Sequence, residues 1–534
     1  MTLVPHAVEV LPDDEHNARL LAHAHPRDWH NPVPRHPYNL VVVGAGPAGL
    51  IAAAGAAGLG ARVALVERHL MGGDCLNYGC VPSKALLRCA TAWADVRDAR
   101  RYGVSYGGEL RVDFGAVMAR LRRLRADLSA HDAVQRFTEL GVDVFLGHGC
   151  FTAPRRLVVD GQMLTFTRAV IATGSHAGVP PIPGLAETDY LTNETIFALT
   201  VLPARLGVIG GGPIGCELAQ AFQRLGSHVT LLEADAHILP REDAAAAAIV
   251  HQALCRDGVQ VMAGARIAAV ETQGDVKRVR YTDASGRTCK AAVDALLVAT
   301  GRVPNVAGLG LEAAGVGYDQ RLGVQVDARL RTTNARIFAA GDVCSRYQFT
   351  HAADALARIV LANALFLGRQ KASALTIPWC TYTDPQIAHV GLTEVQAAAA
   401  GMAITTFVQP LHEVDRAVLD GETEGFAKVH VKQGTDTLVG ATIVARHAGD
   451  MIGLYTALMT HKLGLGALTK VIQPYPTQAE AVRQTADIYN RTRLTPVVKK
   501  LMAHWFAWQR RVSAAHYCVG LITLASLAGS TAYG

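Results

Sequence analysis

One unit occurs twice in this chain and commits it to a doubly wound α/β architecture. Leu40–Val43 is a short apolar run leading into Gly44-Ala-Gly-Pro-Ala-Gly49, the small-residue stretch LIAAAGAAGLGA, and a second run, Arg62–Val66, that ends at Glu67. Leu206–Ile209 leads in the same way into Gly210-Gly-Gly-Pro-Ile-Gly215, the stretch CELAQAFQRLG, and Val229–Leu232 ending at Glu233. From first glycine to terminal acid the interval is 67 − 44 = 23 in one copy and 233 − 210 = 23 in the other. Each copy reads as strand, tight turn, helix and strand. Gly44, Gly46 and Gly49, like Gly210, Gly212 and Gly215, permit the turn and let backbone N–H groups approach a pyrophosphate at a helix N-terminus, and the acid receives ribose hydroxyls. Two such units imply two bound dinucleotides.

Between them lies Gly72–Lys84, GGDCLNYGCVPSK, which sets Cys75 and Cys80 five residues apart. A disulfide closing so small a loop is a poor staple for a large domain and is better suited to exchanging electrons. The run VPSKALLRCATAW that follows is apolar at helical spacing, with Pro82 near a first turn. The pair therefore sits at a helix N-terminus, where the positive dipole end favours thiolate and nucleophilic attack.

At 534 residues the chain has length for about three or four domains. Half its residues are hydrophobic, only 6% are aromatic, and 51 are glycine, which describes tightly packed α/β protein. A net charge of +6 with no basic stripe interleaved with aromatics argues against a nucleic-acid partner. The N-terminus lacks a basic segment followed by a long apolar core, and the ten cysteines are scattered apart from the one close pair; both fit a reducing cytoplasm.

The ordered motifs over about residues 39–495 resemble the disulfide-reductase family of flavoproteins, the class I pyridine nucleotide-disulfide oxidoreductases, which includes glutathione reductase, dihydrolipoyl dehydrogenase and mercuric reductase. The resemblance implies two Rossmann-like domains, binding FAD and NAD(P), and an α+β C-terminal dimerisation domain. It assigns Glu67 to FAD and Glu233 to the nicotinamide cofactor. Ala172-Thr-Gly-Ser175 and Ala299-Thr-Gly-Arg302 look like the two strand-end turns where the chain crosses between domains, and TNARIFAAGD, ending at Asp342, is similar to the second FAD signature. Gly149, Thr173, Gly174, Ser175, Gly341 and Asp342 are thereby expected on the FAD side and Gly301 on the NAD(P) side. Lys84 and Glu217 match the family's lysine–glutamate pair beside the flavin; such a buried pair is tolerable where either charge alone is expensive. Cys80 is expected to face the flavin and Cys75 to attack the substrate.

The implied layout is an N-terminal extension (1–38), an FAD-binding domain in two parts (39–197 and 302–376) around an NAD(P)-binding domain (198–301), an interface domain (377–495), and a tail (496–534). The extension is rich in histidine and proline, with His23, His25, His30 and His36, but has no cysteine and no regular ligand spacing, so it reads as a solvated linker. In the tail, VKKLMAHWFAWQRR places Leu501, Trp505 and Trp508 on one helical face with Lys499, Lys500, Arg510 and Arg511 at the ends. That pattern suits an interfacial helix on anionic lipid or a helix packed on the dimer, and Tyr517–Tyr533 falls short of a membrane span.

Disulfide-reducing members carry H-P-T-x-x-E, contributed by the partner subunit, with the histidine as acid–base. Here the segment reads Tyr475-Pro-Thr-Gln-Ala-Glu480. Glu480 is kept, but a phenol titrating near 10 is a poor proton shuttle at neutral pH. Mercuric reductases also carry tyrosine here, and a soft metal ion held by thiolates accepts electrons without a leaving thiol that needs a proton. They also carry a vicinal cysteine pair at the C-terminus, whereas Cys344, Cys380 and Cys518 here stand singly. The expected enzyme is a homodimer passing electrons from NAD(P)H through FAD to Cys75–Cys80 and then to an acceptor, Hg(II) or another thiol-bound soft metal ion. A dihydrolipoyl-dehydrogenase-like or general disulfide reductase and a redox-sensing or membrane-docked module are the alternatives. Glu233 favours NADH, since a carboxylate repels a 2′-phosphate.

Overall fold

A computed structural model describes residues 8–366 and 368–529, with the backbone alone for 513–529. The sequence readings that rest on Cys518 and on Tyr517–Tyr533 therefore lie outside the described side chains.

The apolar run Leu40–Val43, preceded by Tyr38 and an exposed Asn39, forms strand β1 (Tyr38–Val43), with Leu40, Val41 and Val42 fully buried. Strands of this kind occur where helices cover both faces of a parallel sheet. β1 pairs in parallel with β2 (Val63–Glu67) on one side, and β2 pairs with β3 (Val142–Leu146). On the other side β1 pairs with β4 (Gln162–Ile171), whose C-terminal half also pairs with Ile337–Ala339 from much later in the chain. The late strand shows that the FAD-side sheet is completed only after the chain returns from the inserted unit.

That unit repeats the plan. β5 (Arg205–Ile209) lies between β6 (His228–Glu233) and the strand Ala295–Val298, and Gln260–Ala263 flanks β6, all in parallel. The crossings into and out of it, Ser175–Ala177 and Arg302–Pro304, pair with each other as antiparallel strands. Residues 378–445 contribute a five-stranded antiparallel sheet, in the spatial order Pro378–Thr381, Gln386–Gly391, Leu438–Ala445, Phe426–Lys432 and Ile404–Pro410. Helix Glu480–Thr492 packs Ala481, Val482 and Ala486 into the same core as this sheet.

The N-terminal extension departs from the expected solvated linker. Asp14 caps helix α1 (Glu15–Ala24) by accepting the N–H of Asn17 at 2.8 Å, and the helix buries Leu20, Leu21 and Ala24 in the FAD-side core. Burying each leucine contributes about 1.5–3 kcal/mol toward holding the segment on the core. The histidines are used locally: His23 Nδ1 meets Ser129 Oγ at 2.8 Å, His25 Nδ1 meets the carbonyl of His69, and His36 Nδ1 meets Thr165 Oγ1 at 3.1 Å. The extension also reaches the cysteine loop, because Arg125 donates both to Asn17 Oδ1 at 2.5 Å and to the carbonyl of Asn77 at 2.9 Å.

Candidate active site

Both glycine units build the same cradle. Gly44 and Gly210 have φ of 102° and 107°, and a Cβ on either would lie 2.4 or 2.5 Å from the carbonyl oxygen of Ala172 or Ala299. Gly49 and Gly215 sit against their own turns, where a Cβ would come within 1.8 and 1.9 Å of the Gly44 and Gly210 carbonyls. Only glycine fits these positions. Gly46 and Gly212 then cap helices α2 (Pro47–Gly58) and α3 (Pro213–Leu225) without a side-chain capping bond, which leaves the first N–H groups facing the cleft.

The terminal acids are held in matching ways. Glu67 accepts the N–H groups of Ala45 and His69 at 2.7 and 2.8 Å, and Glu233 accepts those of Gly211 and Asp235 at 2.5 and 2.8 Å. The donors are offset from one another by the same interval as the acids. Burial raises the Glu67 carboxyl pKa against the pull of these hydrogen bonds.

The two cradles open into one cleft of about 2040 Å³. It is lined by Gly44, Gly46, Glu67, Thr173, Gly174, Ser175, Gly341 and Asp342 on one side and by Gly210, Gly212, Glu233 and Gly301 on the other, with Cys75, Cys80, Lys84 and Glu217 between. Two dinucleotide-shaped cradles with exposed helix-start N–H groups fit FAD and NAD(P). Gly149 does not line the cleft. It opens a strand in which a Cβ would come 3.0 Å from Val66 Cγ1, so its glycine identity meets a packing need.

The cysteine pair spans the break between a short helix, Gly73–Asn77, and helix α4 (Cys80–Asp98), in which Cys80 is the first residue. Both are free thiols, Cys80 exposed to the cleft and Cys75 half-buried. The hydrogen bond between them lowers the Cys80 pKa and raises that of Cys75. Thr350 Oγ1, 3.6 Å from Cys80 Sγ, and the Lys84 ammonium further favour the Cys80 thiolate. The arrangement thus favours the proton on Cys75 and the negative charge on Cys80.

One turn along α4, Lys84 Nζ donates to Glu217 Oε2 at 2.8 Å, and the other oxygen of Glu217 accepts the N–H of Tyr382 at 2.8 Å. Lys84 also stands 4.4 Å from the centroid of the Tyr382 ring. Burial works against the ammonium, but the charge and hydrogen bond of Glu217 raise the Lys84 pKa overall, so Lys84 stays charged. The lysine–glutamate pair expected from sequence is present.

Sequence reasoning did not assign a role to Arg302. Its guanidinium donates to Ser175 Oγ at 2.8 Å and to the Ser175 carbonyl at 2.9 Å, and lies 3.1 Å from Asp74 Oδ1, next to Cys75. Ser175 in turn donates to Asp342 Oδ2 at 2.6 Å. Arg302 therefore ties the FAD-side acid Asp342 to the cysteine loop. Its signal was the arginine ending the second A-T-G turn where the first ends in serine. Asn193 and Thr350, each of which bonds the loop from a distant segment, had no local signal.

Tyr475 and Glu480 lie on the interface domain and do not line the cleft of their own chain. The Tyr475 hydroxyl is exposed and donates to Asp415 Oδ2 at 2.9 Å, which raises its pKa further from neutrality.

Residues 38–357 match the family described as pyridine nucleotide-disulphide oxidoreductase, and residues 377–486 match its dimerisation domain. The chain is 36% identical over 448 residues to a mercuric reductase of Bacillus cereus, covering 84% of this chain and 70% of that protein. It is 35% identical over 463 residues to a dihydrolipoyl dehydrogenase of Thermus scotoductus, covering 85% and 98%. Among solved structures, a Cu(II) complex of a cysteine-to-serine mutant of the HOCl-induced flavoprotein disulfide reductase RclA from Escherichia coli superposes with a TM-score of 0.76 at 30% identity, covering 84% of this chain and 99% of that one. The paired cradles, the dithiol between them and these relationships agree: the chain belongs to the pyridine nucleotide-disulphide oxidoreductases, flavoenzymes that use FAD and NAD(P)H and carry a dimerisation domain.

Proposed function

We propose that this oxidoreductase passes electrons from NADH by way of FAD to Cys75–Cys80 and on to a thiol-bound soft metal ion, with Hg(II) the leading substrate. FAD supplies the carrier that takes a hydride from the nicotinamide and delivers an electron pair to sulfur. Lys84, kept charged by Glu217, provides positive charge where that carrier gains electrons. Cys80 holds the thiolate beside it, and Cys75, carrying the proton, is the sulfur left to engage the acceptor.

The observation that carries the metal reading is Tyr475 at the position where disulfide-reducing relatives have histidine. Reducing a disulfide releases a thiolate that must be protonated, whereas Hg(II) takes up two electrons to become Hg(0) without that proton. The mercuric reductase relatives and the Cu(II)-bound structural relative support a metal acceptor. The dihydrolipoyl dehydrogenase relatives support the second reading, a lipoamide or general disulfide reductase. Anaerobic NADH oxidation measured against Hg(II) with excess small thiol, Cu(II), lipoamide, glutathione disulfide and quinones separates them. Metal-dependent turnover above disulfide turnover is expected, and the reverse order would replace this reading with the second. Truncation at about residue 495 should leave turnover intact in an enzyme of either kind; a redox-sensing or docked module would lose its activity in cells.

NADH is the expected donor because Glu233 ends β6 with Asp235 two residues on, both lining the cleft, and carboxylates there would repel a 2′-phosphate. Arg241 and Arg266, which also line the cleft, are the cations that would have to offset them. We expect kcat/KM for NADH to exceed that for NADPH by ~10-fold or more, a difference of about 1.4 kcal/mol. Equal or better efficiency with NADPH would show that the arginines prevail.

A further inference from the structure

Helix α5 (Pro496–Gly529) follows the interface domain as a single helix of 34 residues. Across its first four turns nearly every side chain is exposed, including Val497 (68%), Leu501 (61%), Trp505 (49%), Phe506 (51%) and Trp508 (54%). At about 100° per residue, Val497, Leu501, Trp505 and Trp508 share one strip about 80° wide, Met502 lies about 60° beyond it, and Lys499, Lys500, Arg510 and Arg511 occupy the far arc, where Phe506 falls beside Lys499. The two indoles lie side by side, their ring centroids 5.0 Å apart.

The charge of the segment identifies its occupant. Over the whole chain 51 lysines and arginines stand against 45 acids, but from Ile488 to Gly534 there is no Asp or Glu and there are six Lys and Arg. An exposed apolar strip with adjacent indoles, and an opposite arc whose charged residues are all cationic, complement the boundary of an anionic bilayer. The rings enter the headgroup level and the long basic side chains reach anionic headgroups. No helix among the described residues is long and apolar enough to cross a membrane. Pairing of two copies is already provided for, since the matched dimerisation domain ends at residue 486, before α5 begins.

We propose that α5 is a membrane-surface docking helix that holds this flavoenzyme on anionic lipid. A dimer presents two such helices, and two weak anchors acting together bind far better than one. None of these residues lines the cleft, so docking places the enzyme without altering its turnover.

The test is co-sedimentation of the full-length FAD-loaded protein with vesicles of phosphatidylcholine alone or of phosphatidylcholine containing phosphatidylserine. Binding to the anionic vesicles is expected, with weaker binding as salt rises and little binding to the neutral ones. K499E/K500E/R510E/R511E should lower partitioning onto anionic vesicles by ~100-fold or more, and W505A/W508A by ~10-fold, both with unchanged NADH-dependent turnover. Absence of vesicle binding, or equal binding to neutral and anionic vesicles, would overturn the proposal. So would conversion of a wild-type dimer to monomer by truncation at residue 495, because the apolar strip would then be a contact between copies.

Discussion

Serine in place of Cys75 is expected to abolish turnover with any external acceptor, by roughly 10³-fold or more, while NADH still reduces the flavin. The same variant should show long-wavelength thiolate-to-flavin charge-transfer absorbance with the flavin oxidised. Cys80 holds the negative charge at the first residue of α4, and a serine hydroxyl at position 75 can still donate a hydrogen bond to it. Serine in place of Cys80 should stop turnover equally and lose the band. The sign of the pH dependence follows from the lowered Cys80 pKa: the band is fully developed above that pKa and fades as pH falls through it. Its midpoint should lie below the ordinary thiol value of about 8.5. A band kept by the Cys80 variant and lost by the Cys75 variant would reverse the two roles.

Histidine in place of Tyr475 is expected to raise turnover with lipoamide by ~10²-fold, toward the lower end of what a positioned general acid–base contributes. Tyr475 is exposed in the single chain and bonds only the Asp415 carboxylate, which an imidazole can also do, so the exchange neither overpacks a core nor strands a buried polar group. Reduction of the flavin by NADH should be unchanged, because Lys84, Glu217 and both cradles are untouched. Stopped-flow measurement of the two half-reactions checks both statements. If Tyr475 only packs a subunit contact, the variant would lose stability with no change in substrate preference.

What could be read from the sequence was what is local. The glycine cradles, the terminal acids and the start of α4 depend on residues within one strand–turn–helix unit, and the structure places them where spacing implied. The Lys84–Glu217 pair is not local, and only the resemblance supplied it. The extension was misread because histidines and prolines dominate its composition, whereas Leu20, Leu21 and Ala24 make only a short apolar stripe that a neighbouring core must complete. Arg302, Asn193 and Thr350 were not recognised as site residues for a related reason. Each bonds the cysteine loop across more than a hundred residues of chain, and no periodicity or spacing reports such a contact.

Exit of electrons through the Cys75–Cys80 dithiol to a soft metal ion is the step on which the proposed function depends. Its most direct test is the mercury volatilised per NADH oxidised, under anaerobic conditions with excess small thiol, by the wild type and by the Cys75→Ser variant. One Hg(0) per NADH from the wild type, none from the variant, and slower wild-type turnover with lipoamide is the expected result. Efficient lipoamide reduction with no Hg(II)-dependent NADH oxidation at any thiol concentration would contradict it.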